Sequence, residues 1–174
     1  FYDPDKSVQL YGVSLMFGKR LRWPDDYFTF SAALSYQRYV LKDWQYFPVT
    51  NGKSNNISLE LTLARSSVDN PIYPRSGAEF SLSCQLTPPY SLFDGIDYSR
   101  YAQSYSDANY QNDMNKKYKW VEYHKWKFKS KTYTALTSAN KCFVLMTRVE
   151  FGILGHYNRY KRSPFETFFM GGDG

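Results

Sequence analysis

Long apolar runs are missing from this chain of 174 residues. No stretch approaches the roughly 18 to 20 consecutive apolar residues that a membrane-spanning helix needs. That excludes a helical membrane protein but not a β-barrel, whose strands need only alternate residues facing lipid. Cysteine is scarce. Cys84 and Cys142 stand far apart with no CxxC spacing, so a metal site is not expected, and a disulfide between them stays open. The opening "FYDPDK" has neither the charged region nor the apolar core of a secretory leader. Both ends read as interrupted, so the expectation is a fragment.

Aromatic residues are abundant instead, at 20% with 17 Tyr and 13 Phe, which argues against disorder. Tyrosine joins an apolar ring to a polar tip and suits surfaces that are half wet and half greasy. Lys and Arg number 22 against 16 Asp and Glu, a net charge of +6.

A period of two recurs along the chain. In "YFTFSAALSYQRY", Phe28, Phe30, Ala32, Leu34 and Tyr36 share one side, and Thr29, Ser31, Ala33, Ser35 and Gln37 the other. A helix cannot produce that pattern. Tyr11, Val13, Leu15 and Phe17 alternate likewise, as do Ile57, Leu59, Leu61 and Leu63, and Phe80, Leu82, Cys84 and Leu86. A further run sets Phe143, Leu145, Val149, Phe151 and Ile153 opposite Met146, Arg148, Glu150 and Gly152. The run "KYKWVEYHKWKFKSKTYTAL" also reads as a strand, with its two faces left unassigned. Turn chemistry separates the runs. "RWPDD" is a tight turn, "FPVTNGKSNN" (47–56) a longer loop, and "VDNPIYPRSG" and "SANK" further turns. Residues 88–117 are polar, Tyr-rich and without period, and read as a long extracellular loop.

Six strands in an antiparallel meander follow, with no helix expected. Each supports about ten alternating positions, whereas strands of soluble proteins average about five to six. Ten residues at about 3.4 Å each, tilted near 45°, cross a hydrocarbon core. Tyr27, Phe28, Tyr36, Tyr39, Tyr157 and Tyr160 sit near strand ends, as interfacial aromatic girdles do. The fold expected is all-β, part of a transmembrane outer-membrane β-barrel, since six strands are fewer than the roughly eight of the smallest closed one. Glu60, Glu79, Arg148 and Glu150 are the candidates for the lumen. A soluble sandwich or barrel with its apolar face inward remains the alternative.

Two motifs then carry a resemblance. "SVDNPIYPRSGAEFSLS" resembles a signature of BamA-type outer-membrane assembly proteins, in which a turn with Pro-x-x-Gly leads into the next strand; Pro74 and Gly77 occupy those positions. "SPFETFFMGGDG" resembles the start of that family's long extracellular loop, which folds back into the barrel lumen; Pro164, Phe165, Phe169, Gly171 and Gly172 match it. The resemblance implies the central part of the C-terminal barrel, residues 1–174, ending at the start of that loop. Periplasmic POTRA repeats, the remaining strands and the loop's Arg-Gly-aromatic tip are absent, so no residue is assigned to the seam or the loop lock. It also implies a place in the cell outer membrane, no cofactor, and unfolded outer-membrane proteins as substrates. The partners implied are periplasmic or lipoprotein accessory subunits and the lipid bilayer.

A TamA-type or two-partner secretion barrel, or a porin, shares the fold and remains an alternative, as does a soluble sugar-binding β-protein. An enzyme has the least support: His124 two residues from Glu122 suggests acid–base work but reads better as a lumen charge pair, and His156 has no evident partner. Lys125, Lys127, Lys129 and Lys131 alternate on one side; a lumen wall is preferred to a nucleic-acid patch.

Overall fold

A computed structural model describes residues 6–46, 48–101, 106–137 and 143–168. Six strands form one antiparallel sheet in chain order: β1 (Ser7–Arg20), β2 (Phe28–Lys42), β3 (Gly52–Ser66), β4 (Gly77–Leu86), β5 (His124–Ala135) and β6 (Val144–Gly155). Their lengths run from 10 to 15 residues, two to three times a usual soluble strand. This is the meander of a transmembrane β-barrel wall.

Register decides which side chains share a face. One ladder line joins Phe17, Ala32, Leu61, Cys84, Trp126 and Ile153. The adjacent line joins Gly18, Ser31, Thr62, Ser83, Lys127 and Gly152. Because side chains alternate along a strand, the whole sheet has one apolar and one polar face. The apolar face stays open: Leu15, Phe17, Leu82, Leu145 and Phe151 are all exposed. So large an uncovered apolar surface is foreign to a soluble domain.

The apolar belt also drifts diagonally across the strands. It is centred near Ser14 on β1 (Tyr11–Phe17) and near Val149 on β6 (Leu145–Ile153). Followed back from Val149, the ladder passes through Ser130, Phe80, Arg65 and Phe28 and reaches Leu21, seven residues beyond Ser14. Seven residues at about 3.4 Å make a slide of about 24 Å, and five inter-strand steps of about 4.8 Å span the same distance. For the belt to lie level in a bilayer, the strands must therefore tilt by about 45°, the inclination of membrane barrels.

The strand ends differ. At one end lie the turns between β1 and β2, β3 and β4, and β5 and β6. Asp25 and Arg65 pair at 2.9 Å there, and the Arg65 guanidinium lies over the Tyr27 and Phe28 rings. At the other end, the described residues of 87–123 form a cap with a short helix α1 (Tyr90–Phe93), a 3-10 turn (Tyr98–Arg100) and a helix α2 (Tyr110–Lys117). These helices correct the sequence expectation of none. They are too short to show a period, and tertiary packing holds them.

Two other expectations change. Gly52–Asn56 belongs to β3 and not to a loop. Its covered positions are polar: Ser54 donates to the Tyr118 carbonyl at 2.5 Å, and Asn56 donates to the Tyr123 hydroxyl at 3.4 Å. A polar-in strand gives no apolar alternation to read. Tyr39, expected in an outer girdle, lies on the polar face and stacks on Phe165 with ring centroids 4.7 Å apart.

Candidate functional site

The polar face is where the sheet meets the segment that follows β6. Leu41, Val49, Tyr110, Met114 and Tyr118 form a small core over this face at the cap end, with Trp44 and Phe165 packed against it. Tyr123 is fully buried, and its hydroxyl receives hydrogen bonds from Asn56 and, at 2.8 Å, from Gln85. Burial first, then the nearby Glu166 carboxylate, pushes that phenol well above its ordinary value.

Residues 156–168 leave β6 with Tyr157 packed on His124, and Pro164–Phe168 then turn back across this face. Phe165 reaches β2 through Tyr39. Glu166 reaches β5, where the Lys125 ammonium donates to its carboxylate at 2.9 Å and to the Thr167 carbonyl at 3.1 Å. Both side chains of this ion pair are nearly buried. Phe168 completes the seat. The Lys125 ammonium lies 5.0 Å from its ring centre, and the ring rests on Gly152 of β6, where an added Cβ would come within 2.8 Å of it. Three residues of one segment thus grip three strands, around an open cleft of roughly 590 Å³ lined by Lys125, Lys127, Lys129 and Glu150 on the wall and Pro164–Phe168 on the lid.

Gly152→Leu is therefore expected to expel Phe168 and loosen the segment. One aromatic seat at ~1.4 kcal/mol corresponds to an about tenfold larger open population. Tryptic cleavage after Arg162 in the folded protein should accelerate by that factor; an unchanged rate would count against the seat.

The sequence candidates fall as follows. Glu60, Glu79, Arg148 and Glu150 all share the polar face with the four lysines. Arg148 and Glu150 form an ion pair at 2.6 Å, Lys129 approaches Glu150 at 3.5 Å, and Glu79 accepts from Ser66 at 3.3 Å. Pro164 and Phe165 lie in the returning segment. Phe169, Gly171 and Gly172, like Cys142, lie outside the described residues; Cys84, on the apolar face, is a free thiol.

Pro74 and Gly77 lie at the opposite end of the sheet, in the β3–β4 turn. There Asp69 accepts from the backbone N–H of Arg75 and Ser76, and these bonds hold its carboxyl below the usual carboxylate range. Gly77 has φ of +109°, and a Cβ would stand 2.4 Å from the Ser67 carbonyl oxygen. Gly77→Ala is expected to cost about 1–3 kcal/mol, read as a lower urea midpoint for unfolding from lipid.

The reading of Glu122 and His124 as a lumen charge pair is overturned. Tyr123 points to the polar face and its neighbours leave on the other side. The Glu122 carboxylate accepts from Ser91 N–H at 2.8 Å and Ser91 Oγ at 2.5 Å, and pairs with Lys161 at 3.7 Å. His124 packs against Tyr157 instead, over Gly155. Sequence reasoning also missed Glu166 as the partner of Lys125; the only signal was a single carboxylate inside an aromatic run.

This architecture has a counterpart among known families. No curated protein matches the chain. The model of the Omp85 superfamily domain matches residues 4–174, nearly its whole length. Members of that superfamily are outer-membrane or organellar outer-membrane proteins of the insertion and translocation type. The chain belongs to the Omp85 superfamily.

Proposed function

We propose that the chain is the central wall of a BamA-type barrel, which folds and inserts other β-barrel proteins into the outer membrane. The observation that carries this reading is the returning segment: Phe165, Glu166 and Phe168 seated on β2, β5 and β6 across the polar face. In this reading the polar face is the lumen wall, Glu60, Glu79, Arg148 and Glu150 face the lumen, and residues 164–168 begin the loop that folds inward.

No covalent chemistry is required. An unfolded substrate strand has unpaired N–H and C=O groups that lipid cannot satisfy, and a sheet edge in the intact barrel offers them partners. Substrates are unfolded outer-membrane proteins, and accessory subunits act from the periplasm. The belt spans only about 14–19 Å when its 6 to 8 residue steps are tilted by 45°, against roughly 25 Å for an ordinary outer-membrane band. A short belt favours local thinning of the bilayer and a lower insertion barrier.

Depletion of the full-length protein tests this. Outer-membrane barrels should fall in abundance and accumulate unfolded in the periplasm; normal assembly would reject the proposal. A TamA-type or two-partner secretion barrel, or a porin, would leave bulk assembly intact.

A further inference from the structure

The lobe Tyr90–Tyr101 presents apolar side chains that the wall and its returning segment do not use. Leu92 is 64% exposed, Phe93 82% and Ile96 44%. Around them the backbone is held tightly. The Asp94 amide donates to the Tyr90 carbonyl at 3.0 Å, the Asp94 carboxylate accepts from Ile96 N–H at 3.0 Å and from the Tyr98 hydroxyl, and Tyr98 is buried. An exposed apolar tip on a well-fastened support needs an occupant.

Its position identifies that occupant. The lobe follows Leu86, the last residue of the apolar row on β4. Thr87 and Tyr123 extend the β4–β5 ladder by one more pair, with Thr87 N–H donating to the Tyr123 carbonyl at 3.1 Å. Tyr123 points to the polar face, so Glu122 and His124 belong to the apolar row. Ser91 is bonded to that Glu122, and the Lys161 ammonium bridges Glu122 to the Tyr98 hydroxyl, 3.3 Å away. Tyr157 covers His124 on the same side. The lobe is thus fastened at its Ser91 end to the outer side of the wall, above the apolar belt, while Tyr98 at its far end reaches back to α2 and lines a cleft with Tyr110, Met114 and Tyr118. Tyr90 and Trp120, with rings 5.2 Å apart, stand at the join, the place of an interfacial aromatic girdle.

We infer that this lobe is a membrane-contact device: Leu92, Phe93 and Ile96 seat in the headgroup and upper acyl region of the bilayer around the barrel. The belt below is continuous with the tip, and the flanking groups, Asp94, Asp97 and Arg100, suit a polar headgroup layer. The inference needs only the barrel, whatever its substrates.

The test uses the full-length protein reconstituted in phospholipid vesicles with a p-benzoylphenylalanine placed at position 93, at position 92, or at position 116 on the exposed side of α2. Illumination should yield lipid adducts at 93 and 92 about tenfold above the level at 116. Adducts to protein at 93, marking a partner or a second copy, would overturn the inference, and so would lipid adducts at 93 no more frequent than at 116.

Discussion

Leu82→Arg is expected to destabilise the folded barrel in a bilayer by about 2–4 kcal/mol, whereas Ser83→Arg, one residue on, should cost well under about 1 kcal/mol. The two positions are adjacent on β4 and differ only in the face they serve. Leu82 is exposed and lies on the ladder line of Leu63 and Phe128. Ser83 lies on the line of Thr62 and Lys127, on the polar face. A guanidinium at 82 near the middle of the belt must shed water into hydrocarbon or drag water after it; at 83 it stays hydrated. Urea midpoints for unfolding from vesicles measure both. Equal costs, or a larger cost at 83, would mean that the faces have been assigned the wrong way round.

Glu122→Ala should have the largest effect on the cap. Glu122 and Lys161 have side chains only 0% and 3% exposed, and Ser91 directs both its N–H and its hydroxyl at the carboxylate. Removing one partner of a buried pair leaves an uncompensated charge, a loss of about 3–5 kcal/mol. Replacing both, with Glu122→Gln and Lys161→Met, should recover much of it, because a buried pair exchanged for neutral groups of similar volume is often close to neutral. Hydrogen exchange of the Ser91 amide reports the opening. Exchange that is unchanged in Glu122→Ala would show that the cap does not depend on this pair.

The same lysine gives a direction with pH. Burial pushes the Lys161 ammonium below its ordinary value, and the neighbouring Glu122 and Asp94 carboxylates only partly restore it. The closed cap therefore binds that proton more weakly than the open one. Its contribution to stability is fullest above the free lysine value of 10.5 and is lost as pH falls through the lower value of the closed state.

The wall was legible in the sequence because a sheet wet on one side and greasy on the other writes its faces as strict alternation. Ile57, Leu59, Leu61 and Leu63 show this plainly, and all four share the apolar face. The signal fails where both environments are polar or both are protein. Gly52–Asn56 is strand, yet its covered side meets Tyr118 and Tyr123 through hydrogen bonds and not through apolar packing. Tyr39 and Tyr36 look alike in sequence, and only their odd and even positions send one ring to Phe165 and the other to the apolar side. Glu122 reads as half of a Glu-x-His pair until the fold brings in Ser91 from the cap and Lys161 from beyond β6. Such partners are set by topology over tens of residues, and no local spacing encodes them. The returning segment lay between these cases: Pro164 and Phe165 marked it, while Glu166 and its lysine emerged only from the fold.

The assignment of the two faces is tested most directly by nitroxide scanning of positions 79–86 in the full-length protein in vesicles, comparing collision rates with oxygen and with a water-soluble nickel chelate. Oxygen should dominate at 80, 82, 84 and 86, and the chelate at 79, 81, 83 and 85. The opposite phase, or no alternation at all, would contradict a wall with lipid on one side and water on the other.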